Sequence, residues 1–166
     1  MKKFLSFTAA LTLSAGLAQA EMQVVLTGGW DGNRVPDGQQ CTLFGGNGST
    51  PPMRITGMPA GTAMIVAEYN DRSYQPLSRN GGHGTIGYAV SGDSADLPAV
   101  PGLTDRNLPR GVQVIKKARG TGEYASDGYM PPCSGGRGNR YTVDLHAVDA
   151  GGNTLERLRR VPIGRY

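Results

Sequence analysis

Gly128-Tyr-Met-Pro-Pro-Cys-Ser-Gly-Gly-Arg-Gly-Asn-Arg-Tyr141 runs without a break into Thr142-Val-Asp-Leu-His-Ala-Val148. The second half alternates. Tyr141, Val143, Leu145 and Ala147 fall on one side of an extended chain and Thr142, Asp144 and His146 on the other, the period of a half-buried β-strand. The first half is turn chemistry: proline fixes φ at Pro131 and Pro132, and the glycines permit turns closed to other residues. Such a segment either connects two strands or holds a loop against the mouth of a pocket. In the second case Asn139, Arg140 and Tyr141 are the polar groups placed to meet a ligand.

The same grammar extends along the chain. Apolar, β-rich runs occur at 22–27, 53–55, 62–69, 85–90, 112–115, 141–148 and 154–161, separated by turns such as Asp31-Gly-Asn33 and Gly151-Gly-Asn153. The run at 62–69 is the most continuously apolar, as suits a central strand covered on both faces. Glycine (26) and proline (11) leave little room for long helices, and the best helix candidate is a short stretch around Leu97–Thr104, interrupted by prolines. The pattern predicts a mainly β, single-domain fold with long ordered loops. His146 falls on an exposed or half-packed strand face and is given no role.

Residues 1–20 read as a signal peptide. Lys2 and Lys3 form the basic start, residues 4–17 the apolar stretch, and Ala18-Gln-Ala20 a small-x-small cleavage site. The apolar run is too short and too rich in small polar residues for a membrane span, which needs about 20 strongly apolar residues. Cleavage after Ala20 predicts a periplasmic or secreted domain covering 21–166, with no transmembrane segment. The leader carries two lysines and no acid, so its removal lowers the formal charge from +4 to +2, too little to point to nucleic acid. Arg157, Arg159, Arg160 and Arg165 cluster near the C-terminus in a pattern suited to the solvated face of an edge strand; an anionic partner is the alternative. Cys41 and Cys133 are the two cysteines, and an oxidising compartment predicts one disulfide between them. A reactive or metal-binding thiol pair is the competing reading. With only His83 and His146 as further strong ligands, the spacing is poor for a metal site, and none is expected.

Several polar residues stand at predicted strand ends. Asp71 follows the run ending at Tyr69, His83 sits in Gly81-Gly-His-Gly84 before the next strand, and Asn139 and Tyr141 open another. Converging on one end of a sheet, they suit an anion or polar head group, with Asp71 holding His83 partly protonated and Tyr141 donating a hydrogen bond. Read as local structure instead, Asp71 is a turn cap and His83 a loop histidine flanked by glycine for turn reasons. There is no Gly-x-Ser-x-Gly elbow, phosphate loop, His-Glu-x-x-His or Cys-x-x-Cys. A triad of Asp71 and His83 with Ser73 or Ser78 is a geometric possibility only.

Four blocks, in order, resemble the phosphatidylethanolamine-binding protein family, specifically its bacterial Raf-kinase-inhibitor-like branch. Asp31-Gly-Asn-Arg-Val-Pro36 is similar to an early Gly-x-x-Ile-Pro segment, and 41–52 to a Cys-x-Gly-x-Asn-x-Ser-Pro-Pro stretch. Pro51-Pro-Met-Arg-Ile-Thr-Gly-Met-Pro-Ala-Gly-Thr62 resembles Pro-Pro-Leu-x-Trp-x-Gly-Val-Pro-x-Gly-Thr without a gap. Asp71 then falls on the first aspartate of an Asp-Pro-Asp-x-Pro motif, and His83, with one extra residue, on the histidine of a His-Trp strand. Gly128–Cys133 through Asn139-Arg-Tyr141 resembles Gly-Tyr-x-Gly-Pro-Cys-Pro-Pro followed by His-Arg-Tyr.

The resemblance implies a β-sandwich with a central sheet, a smaller second sheet and few short helices. It also implies a non-catalytic binding protein, without cofactor, whose small pocket takes an anionic ligand or phospholipid head group. Its residues would be Asp71, His83, Asn139 and Tyr141, with the loop at Pro131 and Pro132 as one wall. Inhibition of a kinase or a secreted enzyme, a protein target bound through the loops, is the alternative function; a hydrolase using His83 is the third. The departures are specific: Arg72 and Ser73 replace the second half of the aspartate motif, Asn139 replaces a histidine, and tryptophans are missing at Ile55 and Gly84. Asparagine for histidine removes a titratable cation, so weaker and less pH-dependent anion binding is expected, with Arg72 or Arg137 as candidates to restore the charge.

Overall fold

Alternating apolar residues turn into paired strands throughout the computed structural model, which describes residues 21–166. The leader expectation lies outside the described residues. Eight strands form among them: β1 (Gln23–Leu26), β2 (Met53–Thr56), β3 (Met64–Asp71), β4 (Thr85–Ala89), β5 (Ser94–Leu97), β6 (Val112–Lys116), β7 (Arg140–Val148) and β8 (Thr154–Arg165). They make two antiparallel sheets, a small one in the order β1-β2-β5 and a central one in the order β6-β4-β3-β7-β8. This is the mainly β, two-sheet architecture expected.

The core lies between the sheets. Ile65, Ala67 and Tyr69 of β3, Ile86 and Tyr88 of β4, and Val143, Leu145 and Ala147 of β7 are fully buried against Met53, Ile55 and Leu97 of the small sheet. Two tyrosines take their hydroxyls into this apolar space, where an unpaired O–H is costly. A buried chain satisfies them: the Tyr69 and Tyr88 hydroxyls lie 3.2 Å apart, Tyr88 also meets Thr50 Oγ1 at 3.2 Å, and Thr50 Oγ1 accepts from the Val100 amide at 2.9 Å. Burial pushes both phenols above their ordinary pKa.

The helix expected around Leu97–Thr104 does not form. Leu97 closes β5, Pro101 bridges Ser49 as an isolated extended pair, and Leu103 has φ +67°. Pro98 and Pro101 remove the amides that a helical turn there needs. Three single turns of 3₁₀ geometry, at Thr42–Phe44, Gln75–Leu77 and Gly122–Tyr124, are the helical content of the described residues. The strand missed by the pattern is β5, four residues with only Leu97 buried. It is held by pairing with β2 and by Arg54, which donates to Asp96 at 2.8 and 2.9 Å.

β8 is an edge strand with register shifts against β7. Val143 pairs with Val161 and Leu145 with Leu158, so Arg159 and Arg160 together face Asp144; Tyr141 pairs with Gly164 and Thr142 with Pro162, so Ile163 slips out of the ladder into the core. Arg160 sits in the first bulge at φ +57°, a conformation costing a non-glycine residue about 1–2 kcal/mol. Its amide donates to Asp144 Oδ1, which fastens the bulge.

Candidate functional site

The core faces of β3 and β7 end together, Asp71 paired with Tyr141. Beyond them lies a cavity of about 570 Å³. Asp71, His83, Asn139 and Tyr141 all line it. Pro132 does not: it is buried behind the wall, its carbonyl accepting from the Cys41 amide at 2.9 Å. The wall on that side is made by its neighbours Met130, Cys133 and Ser134. Cys133 is joined to Cys41 by the expected disulfide, with Cα atoms 5.2 Å apart.

Each side chain has an identifiable support. Asp71 is 4% exposed; its Oδ1 accepts from the Ser73 amide at 2.8 Å and its Oδ2 from Asn139 Nδ2 at 2.7 Å. One carboxylate therefore closes the turn after β3 and orients the asparagine that precedes β7. Asn139 is held from behind, its carbonyl accepting from the Tyr166 amide at 3.1 Å while the Tyr166 carbonyl accepts from Ser134 Oγ at 2.5 Å. Tyr141 Oη accepts from the Cys133 amide at 3.1 Å, which leaves the phenol proton for a ligand or for Asp71.

His83 is the most constrained member. Its amide donates to Tyr69 O at 2.9 Å, and the ring stands edge-on to Tyr141 with centroids 5.3 Å apart. Gly84, at φ +111°, lies so close to the 128–129 backbone that a Cβ would come within 2.9 Å of Gly128 O, so glycine there lets the histidine loop pack onto the Pro-Pro loop. His83 Nδ1 meets Met130 O at 2.7 Å; a carbonyl only accepts, so Nδ1 carries the proton and Nε2 is the ring's acceptor. The expected partial protonation by Asp71 is overturned. Burial is the largest influence and lowers the His83 pKa; the Met130 hydrogen bond and the Asp71 charge oppose it without prevailing, and Arg119 lowers it further. Burial also raises the Tyr141 pKa, so its phenol stays protonated at neutral pH.

The rim holds residues that sequence reasoning missed. Arg119 donates to the carbonyls of Pro76, Arg79 and Asn80 at 3.0, 2.8 and 2.9 Å, which clamps the loop after β3 and leaves a positive charge at the cavity. Arg137 lines the mouth, whereas Arg72 does not, because it points to the opposite face of the strand end and donates to Ser78 O. Tyr74 and Tyr124 flank the opening, 54% and 42% exposed. Arg119, Tyr74 and Tyr124 carry no signal in the sequence, since each is a loop residue brought in by tertiary packing; Arg137 is one of the two arginines the sequence offers to restore the charge. Of the serines of the hypothetical triad, Ser73 lines the cavity, its Oγ accepting from the Arg140 amide at 3.0 Å, whereas Ser78 does not, its Oγ donating to Gln75 O at 2.9 Å.

The two-sheet architecture, three strands against five, is the fold of the phosphatidylethanolamine-binding proteins. The crystal structure of Escherichia coli YbcL, described as a new member of the mammalian family of that name, matches with a TM-score of 0.50 and 23% identity over 82% of each chain. A homologue of the family from Chlamydia trachomatis is 22% identical over 87% of this chain and 90% of its own, with a TM-score of 0.48. No protein-family model matches the sequence, and no curated protein matches it.

Proposed function

We propose that this protein is an exported, non-catalytic binding protein whose cavity at the ends of β3 and β7 takes a small anion of the phosphate head-group type. The observation that carries the reading is the convergence of Asp71, His83, Asn139 and Tyr141 on one cavity whose rim bears Arg119 and Arg137. Tyr141 and the second Nδ2 hydrogen of Asn139 are neutral donors, the two arginines supply positive potential, and the neutral His83 ring offers Nε2 as an acceptor. A phosphate monoester carrying one proton matches that set: its P–OH donates to Nε2 while its charged oxygens accept from Tyr141 and Asn139. Asp71 serves as the organiser, not as a ligand contact, since its carboxylate has no proton to offer an anion and its oxygens hold Ser73 and Asn139 in place. Export rests on the leader pattern, and the Cys41–Cys133 bridge is compatible with it. Among the described residues no helix is long and apolar enough to cross a membrane.

The test is an NMR titration with phosphate, phosphoethanolamine and acetate. Shifts at His83 and Tyr141 with the phosphate compounds, larger than with acetate, support the reading; silence at both residues with every anion overturns it. The exposed Tyr74 and Tyr124 favour a second reading, in which the rim docks a secreted enzyme or a kinase as an inhibitor, because exposed tyrosines are enriched at protein contacts. A partner recovered equally by the wild type and by His83→Ala, and lost on Tyr74→Ala, would favour that reading.

A further inference from the structure

Strand alternation gives the end of the central sheet a second, differently charged side. Asp71 and Tyr141 belong to the core face, so Arg72 and Arg140 fall on the outer one, joined by the Arg72 amide donating to Arg140 O at 2.7 Å. The register shifts of β8 opposite Asp144 and opposite Tyr141 and Thr142 bring Arg160 and Arg165 to the same place. The result is a groove of about 420 Å³ lined by Arg72, Arg140, Arg160 and Arg165, with Tyr141, Thr142 and Gly164 among its other walls.

We propose that this groove is a second anion site, separate from the cavity of Asp71 and His83, which takes a phosphate dianion either as a free oligophosphate or as a lipid phosphomonoester. Four guanidinium groups around one space repel one another unless something negative lies between them. Among the described residues no carboxylate lines the groove. Asp144, opposite the Arg160 bulge, spends Oδ1 on the Arg160 amide, and its Oδ2 lies 3.5 Å from Asn70 Nδ2; Asp71 and Asp31, which adjoin groove residues, accept from the amides of Ser73 and of Asn33 and Arg34. Arg72 donates to Ser78 O, but among the described residues the side chains of Arg140, Arg160 and Arg165 have no ion-pair or hydrogen-bond partner. Thr142, also in the groove wall, is 8% exposed and its Oγ1 is buried without a hydrogen-bond partner, so a small rotation of the side chain would be needed for it to meet an anion. The planar fork of arginine matches the tetrahedral oxygens of phosphate, and several forks on one group select for double charge. The backbone of Arg160 is the structural device: a bulge position that suits glycine instead holds an arginine, which aims a cation into the groove.

The experiment is a ¹H–¹⁵N NMR titration of the full mature chain with inorganic pyrophosphate at low and at physiological salt. Shifts clustered at Arg140, Thr142, Arg160 and Gly164, weakening with salt, are expected; Tyr141 borders both cavities and is not used as a reporter. Two variants separate binding from folding. Arg160→Gly removes a cation while placing the residue that φ +57° prefers, and Arg140→Gln/Arg165→Gln alters only exposed side chains. Each should weaken pyrophosphate by about tenfold or more, the scale of a lost charge-assisted hydrogen bond. Absence of shifts at the four reporters, or variants that bind as tightly as the wild type, overturns the site. Shifts confined to His83, Cys133 and Asn139 overturn it while supporting the inner cavity, and the converse pattern upholds it at the expense of that reading. Vesicles of phosphatidylcholine with and without phosphatidic acid identify the source. Sedimentation with phosphatidic acid that the double variant loses assigns a lipid head group, and pyrophosphate binding without sedimentation assigns a soluble anion; both uphold the site.

Discussion

Replacing both cysteines, Cys41→Ala/Cys133→Ala, tests how the bridge acts. The two residues are 92 apart in sequence, and closing a loop of that length restricts the unfolded chain by about 4–5 kcal/mol in the chain-entropy account. The folded chain has other means of holding the two loops together. The Cys41 amide donates to Pro132 O, and Gly48 and Gly102 sit so close to Pro131 that a Cβ on either would approach it within 2.9 and 2.5 Å. The bridge is therefore expected to act on the unfolded state and to leave the cavity wall in place. Alanine is chosen over serine because Cys41 is fully buried and a hydroxyl there would add an unpaired polar group. With a urea slope of about 2 kcal/mol per molar for a chain of this size, the midpoint should fall by roughly 2 M. The assay is equilibrium urea unfolding of wild type and variant, together with their native NMR spectra. A midpoint change under about 0.5 M would refute the loop-entropy reasoning. So would the loss of native His83 and Tyr141 signals before unfolding, because the bridge would then be what holds the wall.

Two further perturbations address the histidine loop. His83 titrates below its ordinary 6.5 when folded, so the unfolded chain takes up that proton first. The stability gained by keeping the ring neutral is complete above that value and is lost as pH falls toward the lowered folded one, at up to about 1.4 kcal/mol per pH unit for one proton. Urea midpoints measured from neutral to mildly acidic pH should show this slope in the wild type and a flatter one in His83→Gln; equal slopes would remove His83 as its source. Gly84→Ala places a Cβ 2.9 Å from Gly128 O and 3.0 Å from Tyr129 Cα at φ +111°, so a loss of more than about 1 kcal/mol is expected, read by thermal unfolding. A variant as stable as the wild type would show that the two loops are not packed so closely.

How far the sequence could be read depended on whether a residue's neighbours in sequence are also its neighbours in space. β7 was legible because its alternation matches its burial, with Tyr141, Val143, Leu145 and Ala147 inside and His146 half-buried on the other face. β5 was not, because a four-residue strand with one buried side chain has no pattern of its own and exists through its partner β2. The helix expected around Leu97–Thr104 fails because Pro98 and Pro101 deny it the amides that a helical turn needs. At the site, Asp71, His83, Asn139 and Tyr141 stood out because strand ends leave a local mark, and the structure brings those four to one cavity. Arg119, Tyr74 and Tyr124 lie in loops whose meeting depends on the whole fold. The protonation of His83 is hidden from the sequence for a related reason: a nearby carboxylate is visible there, but the depth of burial that opposes it is not.

The irregular course of β8 also bears on self-association. A flat twelve-residue edge strand would offer a long row of free amides and carbonyls to any partially unfolded neighbour. Here the row is broken by three register shifts, interrupted at Pro162 where there is no amide to offer, and crossed by Arg157, Arg159 and Arg160. Two copies approaching edge to edge would bring like charges together over a template that does not match itself. The sheet thus ends in a boundary that resists growth, and substitutions that straighten or neutralise β8 carry a risk of aggregation even where the folded monomer is unharmed.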